Sequence, residues 1–336
     1  MATVALDPSP RVQIGRDQHQ HGPVIEEIEG LIKVYKDGHV ERPQIIPCVT
    51  TALPPKLNVT SGDVLLDIFT NTWSRFYVPT SFQPNKLPLM VYFHGGGFCI
   101  GSAAWSCYHD FLARLSAKAG CVIMSVDYRL APENPLPTAY EDGIKALMWL
   151  KQQILCRSGE WWSRQCDLSR VFVAGDSAGA NIAHNVVTRL GSCESRALNL
   201  KGTILIQPFF GGETRTQSEK CSAQSTRSAL SLGASDTYWR LALPRGSNRD
   251  HPWCNPMVTK LEELKVLPTM VCISEMDILK DRNLELYGAW RRAGKKVECV
   301  VYKGVGHAFQ ILNKSQLSQI RSQEMMSHIK TFVSGL

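Results

Sequence analysis

No apolar run in this chain approaches the length of a membrane span, so a spanning helix is not expected. Met1 to Pro23 is polar, with His, Gln and Asp where a secretory signal needs an apolar segment, and reads as a disordered arm running to about residue 24. There is no Gly-x-Gly-x-x-Gly, and no Lys-Ser or Lys-Thr follows the glycine cluster, which argues against a nucleotide-phosphate loop. Eleven cysteines are present, but none is spaced Cys-x-x-Cys and the count is odd. Several, such as Cys121, Cys272 and Cys299, fall in apolar strand-like stretches. They are read as free thiols in a reducing compartment, and no metal site is expected. The formal charge is +7, yet the basic residues are scattered. Their densest group, Arg291-Arg292 and Lys295-Lys296, sits where a helix should end, so neither nucleic acid nor a membrane surface is an expected partner. Ser334-Gly335-Leu336 lacks the basic middle residue of a peroxisomal tail and reads as a helix end. No internal repeat and no low-complexity block interrupts the chain.

What the chain does have is Val171-Phe172-Val173-Ala174-Gly175-Asp176-Ser177-Ala178-Gly179. Apolar, mostly β-favouring residues run into Gly-x-Ser-x-Gly, and a helical pattern from Ala178 to about Leu190 follows. Strand, tight turn and helix are the setting in which that motif carries a nucleophile. A serine at the tip of a strained turn crowds its neighbours against strand and helix. Glycine at 175 and 179 relieves the crowding. The helix N-terminus behind Ser177 favours developing negative charge.

Strand-like and helical stretches alternate along the rest. Strands are expected near Leu31–Tyr35, in two segments within Val64–Val78, and at Leu89–Phe93, Cys121–Val126, Gly202–Phe209, Val266–Ser274 and Val297–Tyr302. Helices are expected at Tyr108–Ala119, Tyr140–Ile154, Asp236–Leu243, Arg282–Ala293 and Gln316–Val333. Continuous apolar strands alternating with helices mean an α/β fold with a mostly parallel sheet covered on both faces. Residues 211–256 break the alternation with a polar stretch where a lid would sit.

A serine nucleophile needs a base, an orienting acid and donors for the oxyanion. His94-Gly95-Gly96-Gly97-Phe98 directly follows the apolar strand. Its glycines let backbone N–H groups converge, so Gly96, Gly97 and Ala178 are the expected oxyanion donors. Among nine histidines, His307 stands alone in a Gly-bordered loop after the last strand, the position of a general base. His94 is expected to hold the shape of the glycine loop, and His184 and His328 to be packed or solvated. Asp277 follows the preceding strand and is taken as the acid over Glu275, which is nearer the strand, and Asp281, which suits a helix cap. Chain order is then Ser177, Asp277, His307. Substrate-facing positions are expected at Phe98, Asp176, Phe209, Tyr238 and Trp239. The aromatics fit an apolar pocket, and they fit core packing as well. Trp161-Trp162 reads as surface-loop packing.

The His-Gly-Gly-Gly-Phe loop, Gly-Asp-Ser-Ala-Gly, Asp127-Tyr128-Arg129-Leu130-Ala131-Pro132-Glu133, Asp277-x-Leu279-x-Asp281 and Gly306-His307-Ala308-Phe309 together resemble the hormone-sensitive-lipase-like branch of α/β-hydrolases. Gly30-Leu31-Ile32-Lys33-Val34-Tyr35-Lys36-Asp37-Gly38 resembles the opening of its plant carboxylesterase group. The resemblance covers residues 25–336 and implies a single domain of the α/β-hydrolase fold. It implies an eight-stranded sheet and a helical cap built from the N-terminal region and the 211–256 insertion. It also implies a serine carboxylesterase acting on small to medium esters without a cofactor, in the cytoplasm or also the nucleus, as a monomer or weak dimer. In such relatives Arg129 and Glu133 are buried and structural. Gibberellin receptors of this family have lost the histidine that this chain keeps. Some dehydratases and cyclases reuse the scaffold, so a lyase or cyclase, or a hormone-binding protein, is the alternative.

Overall fold

In the computed structural model, which describes residues 21–80, 85–156, 159–190, 198–222, 229–312 and 314–336, three short strands make a small antiparallel sheet. They are β1 (Val24–Ile28), β2 (Ile32–Tyr35) and β3 (Val40–Glu41). The arm expected before residue 24 lies almost wholly outside the described residues.

Eight further strands form one mixed sheet: β4 (Val59–Asp67), β5 (Thr72–Pro79), β6 (Leu87–Phe93), β7 (Val122–Asp127), β8 (Cys166–Asp176), β9 (Leu200–Ile206), β10 (Thr269–Ser274) and β11 (Val297–Tyr302). Their order is β11-β10-β9-β8-β6-β7-β5-β4. Only β5 runs against both of its neighbours; β6 to β11 pair in parallel. The helices are α1 (Ser106–Ala119), α2 (Thr138–Cys156), α3 (Ala178–Arg189), α4 (Gln217–Ser222), α5 (Leu232–Ala242), α6 (Lys280–Arg292), α7 (Phe309–Leu312) and α8 (Gln316–Ser334).

The apolar run of β6 explains its place: all seven of its residues are buried. Because side chains alternate along a strand, β6 feeds two cores. Leu89, Val91 and Phe93 join the core shared with α2 and α3, and Met90 and Tyr92 join that of α1 and α8. The parallel strands point their C-terminal ends to one edge of the sheet, where α/β folds build their sites. The ten described cysteines are all unpaired, and among the described residues no helix is long and apolar enough to cross a membrane.

The structure corrects several expectations. β4 begins at Val59, five residues before the segment expected from Val64, because its outer positions Thr60 and Ser61 are polar and hide the strand pattern. Trp162 is a core residue, stacked on Phe76 at a centroid separation of 4.6 Å, and only Trp161 reaches the surface. Arg129 and Glu133 are structural but not buried. The Arg129 side chain is 29% exposed and pairs with the fully buried Asp142, and Glu133 is 44% exposed beside Arg42. Two ion pairs hold this segment, one from Arg129 to the buried Asp142 and one between the partly exposed Glu133 and Arg42.

Candidate active site

Gly175-Asp176-Ser177 is where β8 turns into α3. Ser177 sits at φ +52° and ψ −119°, a region that non-glycine residues occupy only when their surroundings impose it. Its N–H donates to Ile206 and its carbonyl accepts from the Phe209 N–H, so β9 and the turn after it clamp the strained residue. The flanking glycines are fixed by space. A Cβ on Gly175 would lie 2.3 Å from the Gly179 carbonyl oxygen, and one on Gly179 would lie 2.0 Å from that of Phe93.

His307 comes from the loop after β11 and Asp277 from the loop after β10. His307 Nε2 is 2.9 Å from Ser177 Oγ, and its Nδ1 is 2.7 Å from Asp277 Oδ2. With Nδ1 donating to the carboxylate, Nε2 is left to accept the serine proton. All three side chains are buried. The other Asp277 oxygen accepts from the Leu279 N–H, which fixes the carboxylate. Burial pulls the His307 pKa down. The charge and hydrogen bond of Asp277, joined by the charge of Asp176, outweigh it and hold His307 above the usual 6.5. The competing acids are occupied elsewhere: Glu275 accepts from the Gly304 N–H, and Asp281 accepts from the Ser218 N–H.

Gly96, Gly97 and Phe98 all take positive φ, at 115°, 58° and 66°. Successive residues of this kind aim backbone N–H groups into one concavity. A Cβ on Gly96 would fall 2.0 Å from the Ile100 carbonyl oxygen. Ala178 is the first residue of α3, so its N–H has no intrahelical acceptor. His94 shapes this loop. Its Nδ1 donates to the Gly95 carbonyl at 2.7 Å, and its ring stacks on Tyr128, whose hydroxyl donates to the His94 carbonyl. Burial lowers the His94 pKa, which keeps it neutral.

A cavity of about 120 Å³ opens over Ser177 and His307. Of the residues expected to face substrate, Phe209 and Tyr238 line it. Phe98 and Trp239 do not: both are buried behind it, with Trp239 stacked on Phe209 at 4.7 Å. Asp176 borders the cavity, but its carboxylate already accepts from Tyr92, Tyr108 and Gly95. Leu31, Ile45 and Ile46 from the N-terminal region and Leu230 from the insertion complete an apolar roof that residue reading did not single out. Gln207 was missed as well. It stands at φ +47° at the end of β9, accepts from the Ala308 N–H beside His307 and donates to Ser274 at the end of β10. Its only signal was a polar residue closing an apolar strand.

A serine hydroxyl bonded to an imidazole that a buried carboxylate orients, at a helix N-terminus beside a glycine loop, is an arrangement suited to nucleophilic acyl transfer. Residues 90–311 match the pattern of a family described as alpha/beta hydrolase fold. An Arabidopsis thaliana protein named probable carboxylesterase 6 is 54% identical over 316 residues, 93% of this chain and 92% of that protein. The gibberellin receptor GID1A of the same plant is 33% identical over 306 residues, 85% of this chain and 84% of the receptor. Among solved structures, EstE1, a thermostable carboxylesterase cloned from a metagenomic library, matches with a TM-score of 0.69 at 26% identity, over 86% of this chain and 90% of that one.

Proposed function

Because this chain belongs to the alpha/beta-hydrolase-fold family, with a relative named as a carboxylesterase at 54% identity over most of its length, we propose that it is a carboxylic ester hydrolase working through an acyl-enzyme on Ser177. His307 Nε2 takes the Ser177 proton as Oγ attacks the ester carbonyl. The Gly96, Gly97 and Ala178 N–H groups hold the tetrahedral oxyanion, and Asp277 fixes the tautomer and stabilises the imidazolium. The imidazolium returns its proton to the leaving alcohol. Water deprotonated by His307 then releases the acid. The observation that carries this reading is the hydrogen-bonded chain from Ser177 through His307 to Asp277, at 2.9 and 2.7 Å.

The apolar cavity suits a small to medium ester. Residues of the N-terminal region and of the 211–256 insertion act as the cap, an assignment supported by their shared lining of the cavity. The family resemblance supports action in the cytoplasm, and also the nucleus, as a monomer or weak dimer. The scattered positive charge supports a small-molecule partner rather than nucleic acid.

Hydrolysis of p-nitrophenyl esters from acetate to octanoate, with Ser177→Ala alongside, tests this. Turnover that the substitution abolishes is the expected result. Equal turnover by both proteins would overturn the reading. No turnover by either would turn the search to elimination or ligand binding on the same site.

A further inference from the structure

Asp176 immediately precedes the nucleophile, ends β8 and is 1% exposed. Its Oδ1 accepts from the Tyr92 hydroxyl at 2.8 Å and from the Gly95 N–H at 3.0 Å, and its Oδ2 accepts from the Tyr108 hydroxyl at 3.0 Å. The Gly95 N–H also reaches the Tyr108 oxygen at 2.7 Å. One carboxylate therefore joins β8, β6, α1 and the glycine loop at a single buried point.

This explains the first glycine of the loop. Gly95 does not need a positive φ, but a Cβ there would lie 2.7 Å from Asp176 Oδ2 and 3.0 Å from the Tyr108 hydroxyl. The residue is glycine so that its backbone can reach the carboxylate. Its N–H is thereby used, which leaves Gly96 and Gly97 as the donors of the loop. The groups facing Asp176 are Tyr92 from β6, Tyr108 and Cys107 from α1, and His307 from the loop after β11, with Tyr128 also within its field. Burial lifts Tyr92 and Tyr108 well above the usual phenol range, so both remain donors.

We infer that Asp176, with Tyr108 and Tyr92, is a positioning group that sets the spacing between the Ser177 elbow and the Gly96–Gly97 donors and presents a second negative charge to His307. This rests on the acyl-enzyme reading above. The two parts separate by substitution, because Asp176→Asn keeps the size and removes the charge, whereas Tyr108→Phe removes two strut bonds, the one to Asp176 and the one from Gly95, and keeps the charge. Burial raises the Asp176 pKa to about 6, against the opposing hydrogen bonds of Tyr92 and Tyr108 and the charge of His307, so the carboxylate is ionised at neutral pH.

The test is steady-state kinetics across pH on p-nitrophenyl butyrate, with thermal melts to verify folding. Asp176→Asn is expected to lower kcat about 10²-fold, the scale of a small misplacement of catalytic groups, with KM near wild type. The acid limb of kcat/KM should also move to lower pH, which a purely structural defect would not do. Tyr108→Phe should lower kcat while the limb stays in place. Wild-type kcat and an unmoved limb in Asp176→Asn overturn the inference. Should that variant not fold, wild-type kcat in Tyr108→Phe overturns it alone. Turnover lost in Ser177→Ala but undiminished in Asp176→Asn rejects only this inference, whereas turnover surviving in Ser177→Ala rejects the acyl-enzyme with it.

Discussion

His307 is the residue on which the proposed chemistry turns, because it must be neutral to take the serine proton. Its pKa is held above 6.5 in spite of burial, chiefly by Asp277. The sign follows directly: activity is lost as pH falls through the His307 pKa, so the acid limb of kcat/KM should lie above pH 6.5, and that profile reports the free enzyme. Asp277→Asn removes the charge and presents an amide to Nδ1, which favours the wrong tautomer. A loss in kcat of about 10⁴-fold is expected, with residual turnover from the oxyanion donors. An acid limb well below 6.5 in the wild-type protein, or a loss of only a few-fold in Asp277→Asn, would remove Asp277 from the role. Glu275 and Asp281 offer no substitute, since each is bound elsewhere.

Helix α5 is the element through which the proposed specificity would be set. Ser231 caps its first turn by accepting from the Ala234 N–H, and the helix carries Tyr238 and Trp239 side by side. Trp239 stacks on Phe209 and anchors the helix, while the Tyr238 ring presses on the glycine loop, so close that a Cβ on Gly97 would meet it at 2.3 Å. Tyr238→Ala should therefore widen the small cavity and move the preferred acyl chain to greater length in the p-nitrophenyl series. An unchanged optimum would mean that the Tyr238 ring does not bound the acyl group. The elements that position the proposed nucleophile, base and acid were legible in the sequence because each is local: an apolar strand, then a turn, with glycines at Ser177 and His307 but none at Asp277. What was hidden is non-local. The start of α5 at Leu232, rather than Asp236, depends on the Ser231 cap. Asp236 serves inside the helix as acceptor for Arg215 and Arg249. Trp162 reads as surface until Phe76, far away in sequence, is placed against it. Gln207 means nothing until β9, β10 and the His307 loop come together.

At the scale of the molecule, the insertion must stay on the sheet edge for the cavity to exist, and two ion pairs tie it to other parts of the chain in different ways. Arg282 on α6 meets Glu219 on α4 with both side chains nearly dry, at 8% and 5% exposure, and Arg282 also donates to the Thr214 carbonyl. Arg240 on α5 meets Glu26 on β1 as a bidentate pair, but the arginine is 55% exposed. Geometry alone would rank the two alike. Solvation ranks them apart, because removing one partner of a buried pair strands a charge that water cannot reach. Glu219→Ala should cost about 3–5 kcal/mol. Glu26→Ala should cost under about 1 kcal/mol, since water takes over the freed guanidinium. Denaturation midpoints of the two variants against wild type make the comparison. Equal shifts would mean that Arg282 finds new acceptors when Glu219 is lost, and that the insertion is held by its apolar contacts, with Trp239 on Phe209 foremost. A large shift confined to Glu219→Ala, accompanied by faster proteolysis within residues 211–256, would make this buried pair the fastening that keeps the cap over Ser177.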